Sequence, residues 1–456
     1  MSLVSLEDRA RSSSGGAMRL VSEPGALRRL AALVDELAPT GEVVLVADLT
    51  AKTVDGGDVD ARVQAALPAG RHRRVVRVPA GAHGATLDER TVDEVCGRAS
   101  GAAVVMTVGS GTVSDLGKVV AATLGVPLIS VQTAASVNGY ADPLSVLVRN
   151  GAKRTVPSRW PDVLLIDHDI VAEAPLALTR AGVGDAVAIW SSPADWYLAC
   201  ALGMDSALYG SRFVDPVRDL APRLADETAS EAERLASLID VLTVGGLVIG
   251  DAGTTAPLSG VEHLASHVLD MSAIAEGAAH DLHGAQVGVA SVLASALWDV
   301  ALEDERLFDL GPTDFVVPDD LEGRVRAVWQ PVDPTGVLGE ECWHAVEAKM
   351  RRWVAAGPQI RAFFTHRREH VTTLRVLAGD PSLPAAALRV WGAAVAFSEL
   401  SPPVPPERAR WVLSALPFMR DRLSVADLFV LAGRWDDRLF DRVFARAAAT
   451  GGGLGV

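Results

Sequence analysis

The sequence predicts an α/β domain with a doubly wound, mainly parallel sheet, followed by an all-α domain. Short, β-branched apolar runs recur up to about residue 175, and helical patterns lie between several of them. Beyond Ala174 the strand signal fades and long Ala/Leu/Arg segments take over. Strands alternating with helices imply a parallel sheet covered on both faces, and sustained helical spacing implies a bundle. The expected organisation is a flexible leader (1–17), a sheet domain (18–173) and a helical domain (174–450).

The elements follow in order. "MSLVSLEDRARSSSGG" has no apolar core and mixes acids with bases, so it reads as a frayed leader rather than a secretory signal. "LRRLAALVDELA" (27–38) and "TVDEVCGRAS" (91–100) have helical spacing. "EVVLVAD" (42–48), "HRRVVRVP" (72–79), "AAVVMTVG" (102–109), "VPLISVQT" (126–133) and "DVLLID" (162–167) read as strands. Long helices are expected over 229–250 and 284–308, with Pro-rich punctuation at 310–318 and 401–406 and a disordered tail, "GGGLGV". The longest apolar stretches, such as Val241 to Ile249, fall short of the ~20 residues of a membrane-crossing helix. Residues 302–350 suggest no role of their own.

Composition narrows the function. A net charge of −15 argues against nucleic acid and anionic lipid, because counterion release needs a broad basic face. A small anionic substrate stays open if its site is locally positive. The three cysteines, Cys96, Cys200 and Cys342, are isolated, so no disulfide framework is expected and a reducing cytoplasm is the default compartment. Lysine is scarce: Lys52, Lys118, Lys153 and Lys349 are all there is, and arginine fills every other basic position. A compact ammonium suits phosphate as a point charge, which makes Lys118 and Lys153, with Arg154 beside the latter, candidates for a substrate phosphate.

Two constellations carry chemistry. In "VGSGTVSDLGK" a strand breaks into Gly109-Ser110-Gly111-Thr112 and re-forms as a helix from about Val113. Glycines there leave amides exposed at a helix N-terminus, where the partial positive charge favours a phosphate. The pattern is neither the usual dinucleotide fingerprint nor a Walker loop, and a tight structural turn would use the same glycines. Asp115 and Lys118 follow on the first helical turns, "QTAASVNGYAD" (132–142) closes the next strand, and Asp48 ends the first, where a carboxylate can accept from a ribose. Together these mark 18–173 as a Rossmann-like dinucleotide domain. In the helical half, "SGVEHLASHVLDM" puts His263 and His267 four apart on one helix face, His283 follows in "DLHGAQVG", and Asp185 lies in "AGVGDAVA". One carboxylate with two imidazoles suits a divalent transition metal that keeps an open position. An i,i+4 histidine pair also arises by accident in a chain with ten histidines, and His366 and His370 read as a solvated helix face. The expected active site lies between the two domains.

The segments "GSGTVSDLGK", "ISVQTAASVNGYAD", "AGVGDAVA", "SGVEHLASH", "HGAQVGVA" and "FMRDRLSVADLFVLAG" (418–433) resemble, in order and spacing, the iron-containing alcohol dehydrogenase and dehydroquinate synthase-like superfamily, and within it the sn-glycerol-1-phosphate dehydrogenases. The resemblance implies a dehydroquinate synthase-like fold and a metal held by Asp185, His263 and His283, with zinc, nickel or iron all compatible. It implies NAD or NADP along Gly109, Ser110, Gly111, Thr112, Val113, Thr133 and Ser136, with Asp48 at the ribose and Asp115 and Asp142 nearby. It places His267, Asp185 and Asn138 at the substrate and suggests a homodimer. Asn138 and Asp142 stand where that family leads us to expect an aspartate near the substrate and a serine near the cofactor.

The chemistry expected is hydride transfer between nicotinamide and a small phosphorylated ketone or its alcohol, the metal polarising the oxygen and His267, with Lys118 close by, handling protons. The substrate pair is dihydroxyacetone phosphate and sn-glycerol 1-phosphate. Two alternatives stand beside it: a dehydroquinate synthase-like cyclase that recycles NAD within one turnover, and a non-catalytic dinucleotide-binding relative suggested by the changes at Asn138 and Asp142. An aspartate at the first metal position favours the dehydrogenase.

Overall fold

The structure, a computed structural model, describes residues 5–78, 80–81, 84–85, 87–149 and 152–455. Its main strands are β1 (Arg19–Glu23), β2 (Glu42–Ala47), β3 (Arg73–Arg77), β4 (Ala102–Gly109), β5 (Leu128–Gln132), β6 (Leu144–Arg149), β7 (Ala152–Pro157) and β8 (Val163–Asp167). Its main helices are α1 (Leu6–Ser13), α2 (Leu30–Leu37), α3 (Glu89–Ala99), α4 (Gly111–Leu124), α5 (Leu176–Ala186), α6 (Ser192–Ala201), α7 (Glu231–Ala252), α8 (Val261–Glu276), α9 (His283–Asp299), α10 (Leu321–Trp329), α11 (Val337–Ala355) and α12 (Val425–Leu431).

Six strands form one parallel sheet in the order β1-β8-β5-β4-β2-β3, and β6 with β7 makes a separate antiparallel hairpin. The apolar runs explain it. Val43, Leu45 and Ala47 of β2 share a core with Val104, Met106 and Val108 of β4 and with Leu30, Leu33 and Val34 of α2. Val44, Val46 and Val105 point the other way, into a core with Val95 of α3 and Leu116 and Val120 of α4. Burial on both faces is what a parallel sheet requires. The chain runs outward from β2 to β3, then crosses to β4 and proceeds the other way to β5. The crevice at the C-terminal ends of β2 and β4 is therefore the switch point, where doubly wound sheets take ligands.

The chain divides into two compact units: Met1–Gly182 with Thr228–Gly253, and Val183–Glu227 with Thr254–Val456. The boundary expected at residue 173 thus moves. The long helix α7, expected in the helical domain, groups with the sheet unit. The leader is ordered from Ser5 rather than flexible. The Ser5 hydroxyl accepts from the Asp8 amide at the start of α1, Ala10 is buried, and Ser13 Oγ donates to Asp251 Oδ2 on α7 at 2.7 Å. The end of the chain is also docked, since Gly453 O and Leu454 O accept from the Phe397 and Ser398 amides. Main-chain bonding, invisible in the tail's composition, supplies the order.

In the second unit α9 is apolar around most of its circumference and buried accordingly, whereas α8 is buried along most of its length together with polar side chains such as Glu262, His263, Ser266, His267 and Asp270. Two helices, Glu231–Ala252 and His283–Asp304, have the length and hydropathy of a membrane span, which exceeds the sequence expectation. Of their most apolar windows, 61% and 89% respectively are buried inside the protein, so packing consumes that surface. Residues 302–350 acquire a role as well. Trp329 Nε1 at the end of α10 donates to Phe418 O, and Lys349 Nζ on α11 donates to Pro417 O and pairs with Asp427 of α12 at 2.5 Å. They clamp the segment that leads into α12.

Candidate functional site

Asp185 ends α5, His263 sits on the first turn of α8, and His283 opens α9. A close backbone approach brings them together: a Cβ on Gly184 would lie 1.9 Å from Gly284 O. No side chain fits between α5 and α9 there, so Asp185 and His283, each next to one of those glycines, are held side by side. One ligand atom from each of Asp185, His263 and His283 falls within 4.8 Å of the others. Asp185 Oδ1 is 3.4 Å from His263 Nε2 and 3.9 Å from His283 Nε2.

Both rings present Nε2 because Nδ1 is engaged behind them. His263 Nδ1 is 3.0 Å from Glu262 Oε1, and His283 Nδ1 is 2.8 Å from Ser266 Oγ. Glu262, fully buried, also accepts from Ser191 Oγ and the Gly260 amide, and Ser266 Oγ donates to Gln286 Oε1. Partners of this kind fix ring orientation and raise ligand basicity. The sequence reading missed them: adjacent helical residues do not normally face each other, and Glu262 meets His263 only because both lie at the helix entry. Burial pulls the His263 imidazolium down, but the carboxylates of Asp185 and Glu262 outweigh it and hold its pKa up at about 9. His267, one turn further along α8 and buried, has its ring centroid 6.0 Å from that of His283.

In the sheet unit the loops after β4 and β5 lie together. A Cβ on Gly111 would stand 2.8 Å from Val137 Cγ2, and the Thr133 amide donates to Gly109 O. Ser110 is the N-cap of α4, and its own side chain makes no capping hydrogen bond to the first-turn amides. Thr112 is exposed, Val113 is buried beneath the turn, and Thr133 and Ser136 are buried, Ser136 Oγ lying 3.1 Å from Tyr140 Oη. Asn138 is half-buried in the same loop. Asp48 follows β2 at the switch point, with Lys52 Nζ 2.6 Å from its Oδ1.

Lys118, expected as a catalytic or phosphate-binding group, is a correction. Its ammonium is fully buried and donates to Gly139 O, Asp142 Oδ1 and Leu144 O, with Asp115 Oδ1 at 2.9 Å. Every proton is committed, so nothing is left for an external phosphate. Asp115 and Asp142, expected at the cofactor, belong to the same clamp: Asp115 Oδ2 accepts from the Val146 amide and Asp142 Oδ1 from the Leu144 amide. Burial raises the Asp142 carboxyl to about 6 against the opposing pull of Lys118. The extra acid therefore stands beside its own cation, not in open space. Lys153 falls on β7 with its side chain outside the described residues, while Arg154 there is half-buried. His370 is no solvated face, since it stacks on Phe363 at 4.4 Å and lies 2.8 Å from Tyr197 Oη.

With this geometry in hand, the comparisons with known proteins are specific. Residues 21–175 match the family described as iron-containing alcohol dehydrogenase. Over 275 residues the chain is 30% identical to the glycerol-1-phosphate dehydrogenase [NAD(P)+] of Bacillus subtilis (strain 168), covering 59% of this chain and 69% of that one. It is 32% identical over 233 residues to the protein of the same name from Bacillus velezensis, covering 50% of this chain and 59% of that one. The match thus spans less than two thirds of the latter's length. Among solved structures, glycerol dehydrogenase from Schizosaccharomyces pombe superposes with a TM-score of 0.56 at 15% identity, covering 95% of this chain and 90% of that one. That likeness establishes the fold alone.

Proposed function

The chain belongs to the glycerol-1-phosphate dehydrogenase family of the iron-containing alcohol dehydrogenases, and from that premise we propose that it is a metal-dependent, NAD(P)-linked oxidoreductase interconverting dihydroxyacetone phosphate and sn-glycerol 1-phosphate. The observation that carries the reading is the convergence of Asp185, His263 and His283 within one pocket, with both rings turned by Glu262 and Ser266. The donor set fits a divalent ion, since one carboxylate and two neutral imidazoles leave positions open, and it accepts zinc, nickel or iron. Such an ion, when bound, supplies Lewis acidity toward the ketone or alcohol oxygen.

The remaining work falls to the chain. Asp185, His263 and His283 would hold the ion, and Glu262 and Ser266, engaging Nδ1 of the two rings, leave each Nε2 aimed at it. His267 is assigned to the proton at the reacting oxygen, being buried and one helical turn from His263. Gly109 to Val113 present amides to the dinucleotide pyrophosphate, Thr133 and Ser136 line the same loops, and Asn138 is assigned to the substrate. Asp48 takes the ribose, and Lys52 beside it offsets the charge that would repel a 2′-phosphate, consistent with use of either dinucleotide. Neutralisation of Asp142 by Lys118 removes one ground for a non-catalytic reading.

The test is the oxidation of NADH or NADPH by zinc- or nickel-loaded protein with a panel of ketones. Turnover with dihydroxyacetone phosphate, lost in Asp185→Ala and His263→Ala, is the expected result. Oxidation with other ketones but not this one would remove the substrate, and consumption of substrate without net change in the NADH band would indicate a cyclase.

A further inference from the structure

The segment "FMRDRLSVADLFVLAG" contains a cation that the chemistry above leaves unused. Arg422 precedes α12 and is half-buried. Its two terminal nitrogens donate to Ser259 O at 2.8 Å and Thr255 Oγ1 at 3.1 Å. Neither acceptor carries a charge, and among the described residues no carboxylate lies within ion-pair distance of the guanidinium. The acids it feels, Asp205, Asp421, Glu262 and Asp195, act from further away. Half-buried charges are normally paired, and a guanidinium has five donors, of which these bonds use two. This one is short of an anion.

Its position is fixed from several sides. Asp195 on α6 accepts from the Val261 amide with Oδ2 and from the Val425 amide with Oδ1, each at 2.9 Å, and so ties the entries of α8 and α12 together. Ser259, which Arg422 grips, stands two residues before Val261, and Arg422 three before Val425. Ser259 stands four residues before His263, across the Gly260 cap that opens α8. The clamp by Lys349 and Trp329 described above braces the approach to Arg422. The guanidinium is therefore held, with spare donors, at the end of α8 that carries the metal ligand.

We propose that Arg422 anchors the phosphate of the substrate, beside the entry of the helix that carries His263. The proposal rests on the reading of the preceding subsection and deepens it by naming the group that distinguishes a phosphorylated ketone from a plain one. It also accounts for the exclusion of Lys118, and it uses the planar donor fork that matches two phosphate oxygens.

The experiment compares wild type, Arg422→Gln and Arg422→Lys, all metal-loaded, with dihydroxyacetone phosphate and with dihydroxyacetone. In Arg422→Gln the preference for the phosphorylated ketone, as a ratio of kcat/KM values, should fall on the order of 10- to 100-fold, the cost of a lost charge-assisted bond. Arg422→Lys should recover part of it. Inorganic phosphate should compete with dihydroxyacetone phosphate in wild type and lose that competition in Arg422→Gln. An unchanged ratio, or competition by phosphate that survives the substitution, overturns the proposal. If wild type turns over no dihydroxyacetone phosphate, the underlying reading fails by itself. Calorimetric binding of inorganic phosphate to wild type against the variants then still decides the anchor, with thermal unfolding and metal content confirming that each variant is folded and loaded.

Discussion

Glu262 touches no substrate in this reading, yet it governs a ligand. Its Oε1 lies 3.0 Å from His263 Nδ1, and the rest of the carboxylate is satisfied by Ser191 and the Gly260 amide. Glu262→Gln keeps the shape and removes the charge, so the ring loses basicity and one orienting partner. Metal affinity should drop by roughly 10- to 100-fold, the usual effect of such partners. Titration against a chelator checks this, and an affinity equal to wild type would show that Ser191 and Gly260 alone keep the ring in place. Asp185, His263 and His283 were singled out in the sequence by residue type together with the family resemblance, and the structure brings them together; Glu262, Ser266 and Arg422 were not, because Glu, Ser and Arg occur everywhere and only coordinates show where they point. Lys118 illustrates the opposite error: rarity singled it out, whereas its burial among Asp115, Asp142 and two carbonyls fixes the loop after β5 rather than a ligand.

Among elements, the paired crossing of α5 and α9 has the most direct bearing on function. Glycine at 184 lets the backbone of α5 touch that of α9, and a methyl group there would meet Gly284 O at 1.9 Å and Gly288 Cα at 3.2 Å. Gly184→Ala should push the helices apart, separate Asp185 from His283, and cost about 1–3 kcal/mol of stability as overpacking does. Loss of metal binding should exceed what that destabilisation alone explains, as chelator titration and thermal unfolding on the same variant would show. A variant that binds metal normally would mean the crossing tolerates the shift. The strands of the sheet's interior were readable from their apolar runs, each buried on two faces. Strand β1, "RLVSE", and helix α1, "LEDRARSS", were not. The first is an edge strand paired only with β8, and the second is a capped, mostly polar helix, so neither carries a periodic apolar signature.

For the whole molecule, the proposed metal would compete with a proton for His263, and this links stability to pH. Without metal, protonated His263 bridges Asp185 and Glu262. Its pKa is about 9 in the folded chain against an ordinary value of 6.5, so the stabilisation it gives is complete below pH 6.5 and is lost as pH rises through 9. The amount is on the order of 3 kcal/mol. With metal present the sign reverses, because the ion needs the imidazole unprotonated and binds more tightly as protons are withdrawn. A ligand that binds only the folded state stabilises it by a term that grows with the ratio of its concentration to its Kd. Metal-free protein should therefore lose Tm between pH 6.5 and 9, while the increment in Tm on adding zinc widens over the same interval. His263→Ala should abolish both trends, since it removes the group for which proton and metal compete. Thermal unfolding of the metal-free and zinc-loaded forms at several pH values measures both. A zinc increment constant with pH would show that the ion does not displace a proton from His263, and the assignment of that residue as a ligand would fail with it.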